Sequence, residues 1–337
     1  MNAVLERLLD GHDLSAEAAG DVMRALTDGA LAPAVGGALL AALRTKGESA
    51  EEVRGFAHTM RSLAVPVVVP SEGAPLVDTC GTGGDGSGSL NLSTAAGLIA
   101  AAAGARVVKH GNRSISSRSG SADVLETMGI PIGLGPEAAA QCLAEHNFVF
   151  LFAPRYHPAM KHVMPIRRAM GVRTVFNMLG PLSNPAAPPH QVVGAFSLAA
   201  AEKMAHALSG MGIHRAFVVH GAEGWDEATP LGPYHLFDVT PGTVHHEIRD
   251  PATIGVPVCS AKDLAGGDAD VNAAALEALL RGATGPHRDA ACLGAGLALE
   301  VSGIAVDHAD GIVRAAAAID SGATAHLLDG LRSVEEK

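Results

Sequence analysis

The strongest constraint on this chain is a pair of small-residue turns, each placed after a short apolar run and each leading into a helix start. Val77-Asp78-Thr79-Cys80 reads as the end of a buried strand, and Gly81-Thr82-Gly83-Gly84-Asp85-Gly86 follows it with almost no side-chain bulk. Backbone amides in such a turn can approach an anion closely. Asn91-Leu92-Ser93-Thr94 then opens an alanine-rich helix, where unpaired first-turn amides and the helix dipole favour negative charge. One strand later, the apolar run 105–108 leads to Lys109-His110-Gly111-Asn112-Arg113-Ser114-Ile115-Ser116-Ser117, two fixed cations among hydroxyl donors. Ser119-Gly120-Ser121-Ala122-Asp123 exposes backbone again ahead of a further helix. Two neighbouring strand ends sharing one anion site is what an open, mostly parallel α/β sheet provides.

Charge sharpens this expectation. The formal net charge is −11, so a polyanion is repelled by the chain as a whole and held only where local cations and dipoles dominate, which singles out Lys109, Arg113 and Arg118. An acidic balance with 3% aromatic residues lacks the basic surface and stacking rings of a nucleic-acid binder, and no nucleic-acid partner is expected. Cys80, Cys142, Cys259 and Cys292 lie far apart without C-x-x-C spacing, so neither a zinc cluster nor a disulfide framework is indicated and a reducing, cytoplasmic setting is expected. Acids at Glu6 and Asp10, with no basic segment leading into an apolar core, speak against a secretory signal. The most apolar run, 92–105, is too short and alanine-rich to span a bilayer, so no membrane partner is expected.

A length of 337 residues suits one large unit and one smaller. Residues 1–65 read as helices only: Val4, Leu5, Leu8 and Leu9 form a stripe, Ser15 is placed to cap 16–26, and Ser49-Ala50-Glu51-Glu52 is a capping box ahead of Val53, Phe56, Ala57 and Met60. Helices from about 158–180 are candidates to join this unit. From residue 66 to 337, short apolar strands alternate with helices, with strands expected near 76–79, 105–108, 148–152, 192–196 and 216–219 and a later, antiparallel candidate at 236–239. Gly135-Pro136 starts a helix to about 147, 158–170 reads as helical with a disturbance at Pro165, and the proline-rich 181–189 is expected to be extended or turning. Helices are expected again at 271–281, 289–301 and 305–321. The fold class is therefore α/β, a mostly parallel central sheet flanked by helices, with a small all-helical N-terminal domain.

The glycine turn matches G-x-G-x-x-G, but Ser87-Gly88-Ser89 lengthens it, and Arg106 and Lys109 stand where a dinucleotide fold carries an acid. No Gly-Lys-Ser/Thr follows, which disfavours a triphosphatase loop. Asp226-Glu227, just past the run 216–219 and near Gly221 and Gly224, reads alone as surface charge; beside a phosphate site the pair suits Mg²⁺, which takes few protein oxygens plus ligand phosphates. His157, His162, His245 and His246 lack H-E-x-x-H and a third ligand at suitable spacing, and read as surface or capping residues. Arg167 and Arg168 alone would be solvated helix positions.

Taken in order, these segments resemble the anthranilate phosphoribosyltransferase family of tryptophan biosynthesis. The likeness is carried by Asp78-Thr79-Cys80-Gly81-Thr82-Gly83-Gly84-Asp85, Asn91-Leu92-Ser93-Thr94, the whole of 109–126, Phe152-Ala153-Pro154 and His157-Pro158-Ala159-Met160-Lys161-His162. It continues through Arg173-Thr174-Val175-Phe176-Asn177-Met178-Leu179-Gly180-Pro181-Leu182-Ser183-Asn184-Pro185, His220-Gly221, Asp226-Glu227 and Gly266-Gly267-Asp268, covering essentially the full chain. The paired acids before a Thr-Gly turn that mark type I phosphoribosyltransferases are missing, so the resemblance implies the separate fold shared with pyrimidine nucleoside phosphorylases.

That resemblance implies a helical domain, a larger α/β domain, a cleft between them, Mg²⁺ and a homodimer. It implies transfer of the phosphoribosyl group of 5-phosphoribosyl 1-pyrophosphate to the amine of anthranilate. Gly81, Gly84, Asp85, Ser89, Asn91, Leu92, Ser93, Thr94, Lys109, His110, Gly111, Asn112, Arg113, Ser114, Ile115, Ser116, Ser117 and Ser121 would bind phosphoribosyl pyrophosphate. Ser93, Asp226 and Glu227 would serve Mg²⁺, and Gly81, Asn112 and Arg167 would contact anthranilate. An aryl amine is unprotonated at neutral pH, so no general base is assigned; Lys109 is expected to supply transition-state electrostatics. A nucleoside phosphorylase shares the cradle but uses inorganic phosphate; Arg167 and the segment 173–185 favour anthranilate. Gly294 stands where the family pattern leads one to expect asparagine, which bears on local helix packing.

Overall fold

The computed structural model describes residues 1–69, 73–114 and 118–336. It begins with α1 (Asn2–Leu9), α2 (Ala16–Thr27), α3 (Pro33–Lys46) and α4 (Ala50–Ser62). Ser15 Oγ accepts from the Ala18 amide at 3.2 Å and caps α2. At the start of α4 the Glu52 amide donates to Ser49 Oγ at 3.2 Å while the Ser49 amide donates to Glu52 Oε2 at 2.7 Å, closing the box. Glu52 does more than cap. It is fully buried, accepts from the Leu14 amide at 2.9 Å and faces Lys46 Nζ at 3.0 Å, so one carboxylate fastens α4 to the link ahead of α2 and to the end of α3.

The remaining elements are β1 (Leu76–Gly81), α5 (Leu92–Ala102), β2 (Arg106–Gly111), α6 (Ser121–Thr127), α7 (Pro136–His146), β3 (Phe148–Phe152) and α8 (Ala153–Tyr156). They continue with α9 (Met164–Met170), α10 (Phe176–Leu182), β4 (His190–Gly194), α11 (Leu198–Ser209), β5 (Arg215–His220), β6 (Tyr234–Thr240) and β7 (Thr243–Arg249). The chain then closes with α12 (Ala269–Leu280), α13 (Pro286–Val301), α14 (His308–Asp320) and α15 (Ala323–Arg332). The sheet order is β3-β2-β1-β4-β5-β6-β7. Pairings from β3 across to β5 are parallel, and β6 and β7 add antiparallel. The chain steps outward from β1 through β2 to β3, then returns to place β4 on the other side of β1. Strand order therefore reverses between β1 and β4, and in an open sheet the crevice outside the carboxyl ends at that reversal is where ligands bind.

Two apolar cores lie on the two faces of the sheet. One joins Val77, Val107, Phe217 and Val219 to α5, α6, α7 and α12 to α15. The other joins Val193, Val218 and Phe237 to α11, α10, α9 and the four N-terminal helices. Ile166, Val175, Phe176 and Leu179 thus share a cluster with Leu39, Leu43, Phe56 and Met60.

Several boundaries differ from the sequence-based expectation. Strand β2 runs on to Gly111, so Lys109 and His110 are strand residues rather than the start of a loop. Pro181 lies within α10, whose last turn is held by fully buried Leu179 and Leu182, so burial overrides the proline's preference. Strand β7 was not anticipated because it is an edge strand with little burial, Ile248 being 62% exposed, and it carries no alternating apolar pattern. Helix α15 falls within the last seventy residues, which are expected to be helical, beyond the helices given bounds there. Gly294 has a packing role: a Cβ there would sit 3.1 Å from Ala96 Cβ, so the glycine lets α13 lie close on α5 where an asparagine would push it away. No helix among the described residues is long and apolar enough to cross a membrane.

Candidate active site

The first glycine turn leaves β1 at Gly81 and folds against the acidic pair from the far half of the chain. The Gly83 amide donates to Asp226 Oδ2 at 2.5 Å, Thr82 Oγ1 lies 3.4 Å from the same oxygen, and the Asp226 amide donates to Asp85 Oδ2 at 3.2 Å. Three glycines make this approach possible. A Cβ on Gly81 would stand 2.6 Å from Asp226 Oδ2, one on Gly194 1.5 Å from the Asp226 carbonyl oxygen, and one on Gly221 2.0 Å from the Glu227 carbonyl oxygen. Glycine at the ends of β1 and β4 and just past β5 is thus a steric requirement for the acidic pair to cross the strand ends. Gly194 was missed by the sequence reading; its only signal was a glycine closing an apolar run.

Glu227 connects this corner to the start of α5, its Oε1 accepting from the Ser93 amide at 3.2 Å. Ser93 Oγ in turn lies 3.3 Å from Lys109 Nζ. Burial, reinforced by Asp85, pushes the Asp226 carboxyl up to about 7; burial, reinforced by Asp226, pushes Glu227 up to about 8. Acids crowded in this way are relieved by a cation.

Lys109 corrects an expectation. It was read as a cation on an open loop, yet it is buried, donating to the Thr79 carbonyl oxygen and lying near Asp78 and Glu227; burial pulls its pKa down. Asp78, buried beside it and raised by that burial, accepts from Asn184 Nδ2 at 2.8 Å and from the His110 amide at 3.3 Å. Lys109 therefore lies beneath the strand ends, beside Ser93 and the acids.

The second turn folds on itself. Arg113 pairs with Asp123 at 3.0 Å and Glu126 at 2.7 Å, and stands over the Phe152 ring at 5.6 Å. The amides of Ser114 and Gly120 both donate to Asp123 Oδ2, at 3.1 and 2.9 Å. Ser121 Oγ reaches the Asn112 carbonyl oxygen at 3.4 Å, and Gly111 has no room for a Cβ, which would lie 2.4 Å from Ser121 Oγ. Ile115, Ser116 and Ser117 lie outside the described residues. Arg118 is exposed. Asn91 joins the two turns to α12, with Nδ2 donating to the Ser119 carbonyl oxygen at 3.3 Å and Oδ1 accepting from Asn272 Nδ2 at 2.9 Å. Ser89 Oγ lies 3.3 Å from Ser87 Oγ; Leu92 is buried, and so is Thr94, whose hydroxyl finds no partner among the described residues.

Arg167 is half-buried on α9, its guanidinium 5.2 Å over the Phe176 ring and 3.8 Å from Met164 Sδ, and no carboxylate among the described residues pairs with it. Arg168 is exposed. His157, expected as a surface or capping residue, stands at the cap position after α8 without a side-chain cap bond and is not at the surface: it is buried edge-on against His110 with ring centroids 5.1 Å apart. Burial holds His157 at about 4 and His110 at about 3, both neutral, and His110 Nδ1 lies 3.2 Å from the Gly180 carbonyl oxygen. His110 thus points into the packing behind the strand ends. His162, His245 and His246 are exposed. Among the described residues no group of three or more His, Cys, Asp or Glu side chains is arranged to hold a metal. Two carboxylates and a serine hydroxyl nonetheless fit Mg²⁺, a hard cation usually held by one or two carboxylates with waters and substrate phosphates completing its shell.

Comparison with known proteins fits this geometry. Residues 2–64 match the glycosyl transferase family, helical bundle domain, and residues 73–325 match the glycosyl transferase family, a/b domain. A protein of Solibacter usitatus named anthranilate phosphoribosyltransferase is 48% identical, covering 95% of this chain and 94% of its own. The chain belongs to the anthranilate phosphoribosyltransferase family. A Desulforudis audaxviator member of that family is 46% identical over 99% of this chain and 96% of its own. The crystal structure of anthranilate phosphoribosyltransferase from Thermus thermophilus superposes with a TM-score of 0.92 at 41% identity, covering 98% of both chains. The anthranilate phosphoribosyltransferase of Saccharomyces cerevisiae, solved in complex with PRPP and Mg, superposes with a TM-score of 0.88 at 26% identity, covering 98% of this chain and 96% of its own.

Proposed function

We propose that this chain transfers the phosphoribosyl group of 5-phosphoribosyl 1-pyrophosphate to the amine of anthranilate, giving N-(5-phosphoribosyl)anthranilate and pyrophosphate in tryptophan biosynthesis. The observation that carries the proposal is the meeting of the first glycine turn, the start of α5 and the acidic pair at the strand-order reversal. The relatives' names and the yeast complexes, one with PRPP and Mg and another with 4-fluoroanthranilate, support the same substrates.

Amides of the glycine turn and of the first turn of α5 hold phosphate oxygens, and the sugar lies between the two small-residue turns. Mg²⁺, held by Asp226, Glu227 and Ser93, supplies positive charge at the leaving diphosphate. Lys109 fixes the Ser93 hydroxyl and tempers the acid charge. As the bond at ribose C1 breaks, positive charge grows on the sugar as in glycosidic cleavage, and the amine attacks from the opposite face with inversion. Fixed donors aimed at the departing diphosphate are worth about 3 kcal/mol each in such reactions. Arg167 receives the anthranilate carboxylate, since a guanidinium fork matches it and an aimed nucleophile needs no strong base. Gly81 and Asn112 line the same substrate. Residues 1–65, joined by helices from about 158–180, form one domain and 66–337 the other, with the substrates in the cleft between them. The active form is a cytoplasmic homodimer.

Anthranilate fluorescence tests this directly: it falls when phosphoribosyl pyrophosphate and Mg²⁺ are both added. Unchanged fluorescence, together with phosphate-dependent release of a base from a pyrimidine nucleoside, would establish the phosphorylase activity instead.

A further inference from the structure

Arg173 lies in the link between α9 and α10, exposed and outside every role assigned above. Three contacts define it. Its guanidinium donates to the carbonyl oxygen of Gly84, it stacks over the Phe196 ring at 4.4 Å, and its own carbonyl oxygen accepts from Arg44 Nη1 at 2.6 Å. Arg44 is in the last turn of α3. One residue thus joins an N-terminal helix, the inter-helix link and the turn after β1. Phe196 belongs to the same assembly, because its amide donates to Thr82 Oγ1 at 3.0 Å.

The peptide that Arg173 grips joins a left-handed glycine to Asp85, which is anchored through its side chain to Ser87 and to the Asp226 amide. Rotation of the Gly84–Asp85 peptide turns ψ of Gly84 and φ of Asp85; glycine, here at φ +72°, eases the first, so the carbonyl is oriented by the donor it meets, and among the described residues that donor is the Arg173 guanidinium. The bond is trans, so a Gly84 carbonyl turned to Arg173 sends the Asp85 N–H the opposite way. Among the described residues that N–H meets no acceptor. We propose that Arg173 is a positioning residue: it holds the Gly84–Asp85 peptide with its N–H facing the diphosphate, and Arg44 seats Arg173, so the helical segment sets the phosphate-binding state of the turn.

This inference rests on the diphosphate site proposed above, and its test separates the two. Trp225, the single tryptophan, is buried immediately before Asp226 and reports binding of inorganic pyrophosphate with Mg²⁺ by its fluorescence. Arg173→Met is expected to weaken pyrophosphate binding on the order of ten- to a hundredfold, the span of a lost hydrogen bond from a charged donor. The KM for phosphoribosyl pyrophosphate rises in parallel, while the KM for anthranilate at saturating phosphoribosyl pyrophosphate stays put. Arg44→Met, which leaves the Arg173 side chain intact, weakens pyrophosphate in the same direction, and the double variant binds no more weakly than Arg173→Met alone. Pyrophosphate affinity unchanged in Arg173→Met, or unaffected by Arg44→Met, overturns the inference; the latter result makes Arg173 a direct phosphate contact. A wild-type protein that binds pyrophosphate without consuming anthranilate sinks the transferase reading and leaves the positioning role standing, whereas one that binds none sinks both.

Discussion

Arg167 carries its charge among an aromatic ring, a thioether and partly buried backbone, without a carboxylate partner among the described residues. An uncompensated, half-desolvated guanidinium is costly unless an anion completes it, and that is the argument for a substrate carboxylate there. Arg167→Ala should raise the KM for anthranilate by roughly ten- to a hundredfold, the equivalent of about 1.5–3 kcal/mol, with a smaller change in kcat. Steady-state kinetics at saturating phosphoribosyl pyrophosphate measure this, and an unaltered KM removes the residue from the site. In the sequence Arg167 was legible only through its neighbours, since an arginine on a helix says nothing of its burial. Lys109 shows the same limit in reverse. Its identity was legible, but a strand that ends three residues later than expected turned a loop cation into a buried one.

At the scale of elements, β2, α8 and α10 meet around two neutral imidazoles, and this contact should govern acid stability. His110 and His157 titrate near 6.5 when unfolded but are held at about 3 and about 4 in the fold, with burial as the first cause. Between those values the unfolded chain binds the protons that the folded one refuses. The contribution is therefore complete above pH 6.5 and is lost as pH falls through 4. His157→Gln should flatten the fall of the urea midpoint between pH 6.5 and 4, recovering on the order of 3 kcal/mol of acid sensitivity. Parallel pH curves for the two proteins contradict this. Neither the histidine contact nor the helix containing Pro181 could be read from local pattern, because both are decided by packing between segments distant in sequence. The caps at Ser15 and Ser49, which depend on residues three apart, were legible in full.

For the molecule as a whole, the central claim is that segments near residues 81, 93, 109 and 226 form one diphosphate and Mg²⁺ site at the strand-order reversal. Alternating strands and helices made the parallel sheet legible, and the order of the motifs made the family legible. The meeting of Asp226 with the first turn was expected only through that resemblance, and its steric condition was not legible, because it depends on Gly194, a position whose neighbours become known only once β4 lies beside β1. The most direct test is the Mg²⁺ dependence of turnover in the wild-type protein and in Asp226→Asn combined with Glu227→Gln. The account predicts a Mg²⁺-dependent wild type and a double variant that needs at least roughly tenfold more metal or cannot be saturated, in line with the loss of carboxylate ligands. Superimposable metal titrations of the two proteins would contradict it.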